Sequence, residues 1–384
     1  MAGITRPSIV VVCGDPGGAS AVGKVIKLLE LDRRVFIKPV AYKEAATVWD
    51  EMEIPYQKIP DDFTQESTLA LLKKPDVKLL FTGTSVNSVD LEKQFIVGAR
   101  QIGLPSLSLV DFWTNYTWRF SDNAGNLVYL PDKIAVMDEY ACQEMIREGF
   151  DPSGLVNTGQ PVFDDLADWR AQFSIQRRDE IRTQLGVRAG ELLVLFASQP
   201  LTSLYGTDTF QTKYLGFDEW SVLEDLIKSL EDIKAETDAN IHLVIRPHPR
   251  ETVGPFMGYR SDSYPITVVE TGSGRSQVMA ADLVVGMNTE LLIEACYLGC
   301  ITLSLQPGLR HPDRLPTNHL GFSRAVYNQE DIKPALRELL LDEAARSRML
   351  ENVSKFKLKS KSAWKVASLI YKMIDLPQES EGPR

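Results

Sequence analysis

Two short stretches hold most of the side chains able to do chemistry. Arg246-Pro-His-Pro-Arg250 leaves the apolar run 241–245, and Asn288-Thr289, with Glu294 beyond, follows the apolar run 283–286. In open α/β sheets ligands bind outside the carboxyl ends of the strands, so two such ends in one half of the chain predict a nucleotide pocket. Prolines on either side of His248 forbid helix continuation and stiffen its backbone. A His or Arg held there can donate to a diphosphate; the alternative is a His hydrogen-bonded to a neighbouring loop. A helix starting at Thr289 offers free N–H groups to a phosphate, and Glu294, a turn and a half in, can accept from ribose hydroxyls. Glu290 reads equally as a solvated or capping acid. Gly272-Ser273-Gly-Arg-Ser276 is a second candidate anion-binding helix start, and Ser198 and Gln199, just past the run 192–197, should form the pocket floor.

The first half offers different chemistry. Gly14-Asp15-Pro-Gly17-Gly18-Ala-Ser20 follows the first apolar run and opens a helix, where glycine lets backbone N–H groups approach a ligand. The loop lacks both the GxGxxG spacing and the Lys-Ser/Thr of a P-loop, so neither a nicotinamide nor an ATP site is supported; a tight turn is the alternative role for Gly17 and Gly18. Asp15 is placed to orient or deprotonate a sugar hydroxyl. The segment Asp111-Phe-Trp113-Thr-Asn-Tyr116-Thr-Trp-Arg119-Phe puts an acid, aromatic rings and a cation on one strand-to-loop junction. Trp113 and Tyr116 stacked on sugar rings around Asp111 would make an acceptor site. Alternatively the rings cover the sheet edge and Asp111 caps a turn.

Parallel strands and the helices between them must position these groups. Compact apolar runs at 9–13, 35–40, 78–82, 106–110 and 133–137 alternate with amphipathic stretches at 19–31, 64–73, 88–102 and 139–148, the sequence mark of a parallel α/β layer. After a polar, Arg-rich stretch over 171–190 the pattern repeats. Strands are expected at 192–197, 242–245, 267–269, 283–286 and 301–305, and helices at 218–237, 276–280, 289–298 and 329–341. The expected domains are 1–168 and 187–355, followed by a helix over 356–376 and a disordered tail over 377–384. The tail from Lys355 to Ile374 carries Lys355, Lys357, Lys359, Lys361, Lys365 and Lys372 around Ala363, Val366, Ala367, Ile370, Met373 and Ile374. It either docks on the domains or touches an anionic membrane surface.

Bulk composition narrows the class. A chain of 384 residues exceeds the size at which one core keeps growing. Net charge of −10 and a pI near 5.1 argue against nucleic-acid binding, so any phosphate must be held locally. The four cysteines, Cys13, Cys142, Cys296 and Cys300, show neither metal spacing nor a secreted disulfide framework, which fits a reducing cytoplasm. No zinc-type cluster and no GxSxG elbow is present.

In these motifs the chain resembles the GT-B superfamily of nucleotide-sugar enzymes, especially the branch holding UDP-N-acetylglucosamine 2-epimerases and the capsule-type transferases with an HP motif. Thr158-Gly-Gln-Pro-Val-Phe-Asp-Asp-Leu166 is similar to an epimerase segment, Arg246-Pro-His-Pro looks like the phosphate-contacting element, and Glu294-Ala295 looks like the pair whose Glu holds the ribose. Thr82-Gly-Thr-Ser85 lacks the acid of the epimerase Gly-Asp-Thr motif, Asp111-Phe-Trp stands where epimerases have Glu-Ala-Gly, and Asn288-Thr289-Glu290 replaces Ser-Gly-Gly. The resemblance implies two Rossmann-like domains facing a central cleft, with a C-terminal helix packed back on the first. It implies a glycosyltransferase, or a relative moving a polyol phosphate, that uses a pyrimidine nucleotide-sugar donor and a carbohydrate or lipid-linked acceptor. The alternatives are an epimerase or hydrolase, and a binding protein without chemistry. The donor would be held by Ser198, Gln199, Arg246, His248, Ser273, Asn288, Thr289 and Glu294. Asp15 or Asp111 would act as base, Arg119 would position the acceptor, and Gly17, Gly18, Trp113 and Tyr116 would contact it. No cofactor or metal is expected, since helix N–H groups and cations would stabilise the leaving diphosphate. The expected location is the cytoplasm or the inner face of the membrane.

Overall fold

A computed structural model describes residues 6–86, 90–355 and 361–377. The chain divides into two compact units, one formed by residues 1–164 with 359–384 and the other by residues 165–358.

In the first unit seven strands form one parallel sheet. They are β1 (Ser8–Cys13), β2 (Phe36–Ala41), β3 (Gln57–Lys58), β4 (Val77–Thr82), β5 (Ser106–Leu109), β6 (Lys133–Val136) and β7 (Leu155–Asn157), in the order β3-β2-β1-β4-β5-β6-β7. β1, apolar from Ile9 to Cys13, is buried throughout, as expected for a strand with both faces covered. The progression reverses between β1 and β4, and at such a switch point the loops diverge and leave a crevice. There the loops after Cys13 and Thr82 meet.

The second unit repeats the plan with six strands: β8 (Leu192–Ala197), β9 (Ile241–Arg246), β10 (Ile266–Val268), β11 (Leu283–Gly286), β12 (Thr302–Leu305) and β13 (Arg324–Val326), ordered β10-β9-β8-β11-β12-β13. The helix Glu219–Glu236 lays Leu223, Leu226, Leu230 and Ile233 on the sheet beside Val194, Phe196, Leu243 and Val285. Its start is fixed by a capping box in which Asp218 accepts from Ser221 N at 2.8 Å. The switch point lies between β8 and β11, so Ser198 and residues 287–289 flank it.

The differences from the sequence reading are local. The Arg-rich stretch 171–190 contains a helix, Ile175–Gln184, which belongs to the second unit: Arg178 and Arg182 reach Asp282 at 2.7 and 2.9 Å. Strands β3, β7 and β13 were not expected. The described part of the expected helix 88–102 is Leu91–Gln101; residues 88 and 89 lie outside the described residues, as do 356–360, with Lys357 and Lys359, and 378–384 of the expected tail. The C-terminal helix, Ser362–Met373, packs Ala363, Val366, Ala367 and Ile370 into the first unit's core beside Val22 and Ile26 of the helix Pro16–Glu30. Asp164 fixes its start by accepting from Ser362 N and Ala363 N, each at 2.7 Å. Those apolar residues are therefore spent inside the protein and are not available to a bilayer. Among the described residues no helix is long and apolar enough to cross a membrane.

Candidate functional site

A cavity of about 480 Å³ opens at the β8/β11 switch point of the second unit. Ser198, Arg246, His248, Ser273, Thr289 and Glu294 all line it, joined by Arg275 and Glu290. Two helices begin at its wall. Ser273 caps Gly274–Ala280 by accepting from Ser276 N at 3.4 Å, and Thr289 caps Glu290–Tyr297 by accepting from Leu291 N at 3.3 Å. Their first-turn N–H groups and dipoles favour an anion.

Arg246 is half-buried and donates through Nη1 to a neutral partner, Gln277 Oε1, at 2.7 Å. Burial alone pulls its pKa below the ordinary value, the expected direction for a cation with no acid beside it. The guanidinium packs on Gly274, where a Cβ would fall 3.2 Å from Arg246 Nε. Beside it, His248 Nδ1 accepts from Arg250 N at 3.1 Å, which places the neutral ring's proton on Nε2. Burial, then the charges of Arg250 and Arg246, lower the His248 pKa and keep the ring neutral. Glu251 holds this loop, accepting from His248 N at 2.6 Å and from Ser198 Oγ at 3.0 Å, and burial raises its own pKa.

Glu294 is paired in two-pronged fashion with Arg275: Nε and Nη2 donate to Oε2 and Oε1 at 3.1 and 3.0 Å. Arg275 Nη1 also donates to both oxygens of Asp165, at 3.2 and 3.1 Å. Burial works against the charge, yet these acids hold the Arg275 pKa above its ordinary value. Two expected ligands stand elsewhere. Asn288 N donates to Gln199 Oε1 at 2.9 Å, and neither residue lines the cavity; together they brace the loop behind it.

At the switch point of the first unit the charged side chains are largely paired with one another, while Asp15 is half-buried and Gly17 exposed. Arg119, only 6% exposed, donates through Nη1 to Asp111 Oδ1 at 2.7 Å and to Thr84 Oγ1 at 2.6 Å, and through Nε to Thr114 O at 3.1 Å. It locks Asp111 rather than presenting a charge to an acceptor. Asp111 packs so closely on the helix start that a Cβ at Gly17 would fall 2.3 Å from its Oδ2. Gly18 is buried against residues 83 and 84 and cannot face an acceptor. Gly14 N donates to the fully buried Glu92 at 2.8 Å, and the Tyr42 hydroxyl donates to the other Glu92 oxygen. Burial, then the charge of Asp90, pushes the Glu92 pKa up to about 8. Asp15 accepts from Val86 N at 3.3 Å, and burial raises its pKa.

Trp113 and Tyr116 also differ from the sugar-stacking role expected of them. Trp113 is 3% exposed, stacks on Phe163 and donates to Asp138 at 2.8 Å; Tyr116 is 2% exposed. The ring of this segment that faces solvent is Trp118.

Compared by sequence, the chain matches no family profile and no curated protein. By structure it is similar to a Neisseria meningitidis UDP-GlcNAc 2-epimerase bound to UDP-GlcNAc, with a TM-score of 0.67, 12% identity, and coverage of 94% of this chain and 99% of that one. An S. aureus MnaA in complex with UDP gives a TM-score of 0.66 at 13% identity, covering 98% and 100%. An Acinetobacter baumannii MurG gives 0.61 at 11% identity, covering 95% and 99%. The fold is GT-B.

Within this GT-B chain, sequence reasoning missed Arg275, Glu251 and Glu92 as organisers of the two switch points. Arg275 lies inside the Gly272–Ser276 string and Glu251 directly follows Arg250, but their partners, Asp165 and Ser198, are 110 and 53 residues away, so no spacing rule exposes them. Among the described residues no group of His, Cys, Asp and Glu could hold a metal ion.

Proposed function

We propose that this chain is a nucleotide-sugar enzyme whose second unit holds the nucleoside diphosphate of the donor, and that it transfers a sugar or polyol phosphate to a carbohydrate or lipid-linked acceptor in surface-polysaccharide or glycolipid assembly. The observation that carries this reading is the convergence of Arg246, His248 and two helix starts on one cavity at the β8/β11 switch point. Arg246 supplies a charge that is paired with no acid among the described residues, His248 supplies a neutral Nε2–H, and the helix starts supply backbone donors. A preorganised set of this kind stabilises the charge that develops on a leaving diphosphate. The neighbours described as bound to UDP-GlcNAc or UDP support the choice of a pyrimidine nucleotide.

In the first unit Asp15 is the proposed general base. Its raised pKa suits proton abstraction better than an ordinary Asp does. Asp111, tied to Arg119 and Thr84, has the supporting part of holding the Gly17 turn. A second reading, a nucleotide-sugar epimerase or hydrolase, is favoured by the neighbours described as 2-epimerases.

Calorimetry and thermal shift against UDP, CDP, CMP, GDP and dTDP, with and without magnesium, test the donor site, because stabilisation follows affinity. Metal-independent binding of one nucleotide, lost in Arg246→Ala and His248→Ala, is the expected result; no binding by the unsubstituted protein overturns the reading. Product analysis then separates the activities. Release of an epimer or free sugar without acceptor supports the second reading, and binding without turnover leaves a binding protein.

A further inference from the structure

A second cavity, of about 670 Å³, lies on the first unit along the outer side of β2, and none of the switch-point residues lines it. It opens because β3 pairs with β2 only at Val40 and Ala41, so residues 36–39 have no strand beyond them. Phe36 N and Tyr42 N donate toward β1, to Pro7 O and Cys13 O at 2.9 and 3.2 Å, so the alternate residues Ile37, Pro39 and Ala41 turn their backbone outward. There Ala41 O accepts from Ile59 N at 3.0 Å, while Pro39 has no N–H to offer. A proline on the free side blunts an edge against strand addition. The edge is therefore unsuited to an extended peptide, and the space beside it falls in the range of roughly 300–1,000 Å³ that suits a small molecule.

The lining has two characters. Val10 and Val40 belong to the apolar cluster around Phe95 and Ile96, Leu71 packs on it, and Phe36 stands 57% exposed at the same cavity. Four cations, Arg6, Arg33, Lys38 and Lys74, and two acids, Glu30 and Asp32, complete the wall. Lys38 is taken by Asp76 at 2.5 Å, and Asp32 by Arg34 at 2.6 Å. Among the described residues Arg6, Arg33, Lys74 and Glu30 make no ion pair, which leaves three cations against one acid in a chain of net charge −10. A local surplus against the sign of the whole molecule attracts anions, and the apolar residues beside it favour a hydrocarbon body. We propose that this cavity binds a single amphipathic anion, an alkyl chain ending in an acid group, with the chain over Phe36, Val10, Val40 and Leu71 and the acid group at Arg6, Arg33 and Lys74. The site is separate from the nucleotide cavity and stands whichever way that cavity is read. Its ligand covers the exposed Phe36 ring and ties β2 to the end of the helix Gln65–Leu72, so binding stabilises the first unit.

The test is calorimetry on the full chain with dodecyl phosphate below its micelle concentration, beside dodecyltrimethylammonium and inorganic phosphate. One dodecyl phosphate per chain is expected, bound at least about tenfold more tightly than either control. The double substitution Arg33→Glu/Lys74→Glu and, separately, Phe36→Asp should each weaken it by about tenfold, whereas Arg246→Ala should leave it unchanged. Arg33, Lys74 and Phe36 are exposed, so these variants should melt like the unsubstituted protein without ligand; the comparison of the two amphiphiles needs no variant at all. Equal uptake of both amphiphiles, or affinity retained in both variants, overturns the inference. Loss of binding in Arg246→Ala puts the anion in the second unit and overturns it too. Adsorption to anionic phospholipid vesicles without binding of monomeric dodecyl phosphate makes the patch a bilayer contact, and the inference fails.

Discussion

The two units bring loops to the same kind of switch point, and they differ in what the charges there are doing. In the second unit Arg246 pairs, among the described residues, with the Gln277 amide and borders open space. In the first, Arg119 is buried against Asp111, the carboxylate presses on Gly17, and Gly14 N–H is taken by Glu92. Shared topology thus yields an open cavity beside an arginine in one half and a set of mutually paired charges in the other. Strand order is shared, and the difference lies in which charges are already neutralised within the protein.

The contrast can be broken most forcefully at Arg119. Arg119→Ala leaves the Asp111 carboxylate without its cation in a nearly closed site, and such losses destabilise by about 3 kcal/mol. Chemical denaturation should show that drop while nucleotide affinity of the second unit holds. Arg246→Ala should do the reverse, weakening nucleoside diphosphate binding by roughly 2 kcal/mol, in the range of hydrogen bonds to charged groups, with little change in stability. Equal sensitivity of both properties to both substitutions would erase the distinction. Gly17→Ala sharpens it: the new methyl must displace Asp111, which should cost about 1–2 kcal/mol on thermal unfolding.

A separate expected effect is a pH slope. Glu92 binds its proton more tightly in the folded chain than in the unfolded one, so its contribution is complete below the ordinary 4.5 and is lost as pH rises through about 8. Melting temperatures of the unsubstituted protein should fall across that window, and Glu92→Gln should flatten the fall. A variant with the same slope would remove Glu92 from this account.

Much of the framework was legible because buried parallel strands are written as apolar runs. The strands 192–197 and 283–286 have the bounds expected of them. Where burial is slight the signal disappears: β3 is two exposed polar residues, and the helix Ile175–Gln184 buries only Ile181 and Arg182, relying on ion pairs with Asp282 instead of an apolar stripe. The candidate site was legible in the same uneven way. Arg246, His248, Thr289 and Glu294 announce themselves by following strands, and all four line the cavity. The roles expected of Trp113, Tyr116 and Arg119 were not met, because sequence shows that a ring or cation sits in a loop but not whether a neighbour covers it.

The helix Ser362–Met373 belongs to the core of the first unit, although the whole second unit separates it from that unit in the chain. During synthesis the first sheet therefore emerges with the apolar side of the helix Pro16–Glu30 uncovered, and it waits for roughly 190 further residues before its last layer exists. The second unit, being continuous, can close its core first. The unit that begins first in the chain is thus the one whose core is completed last.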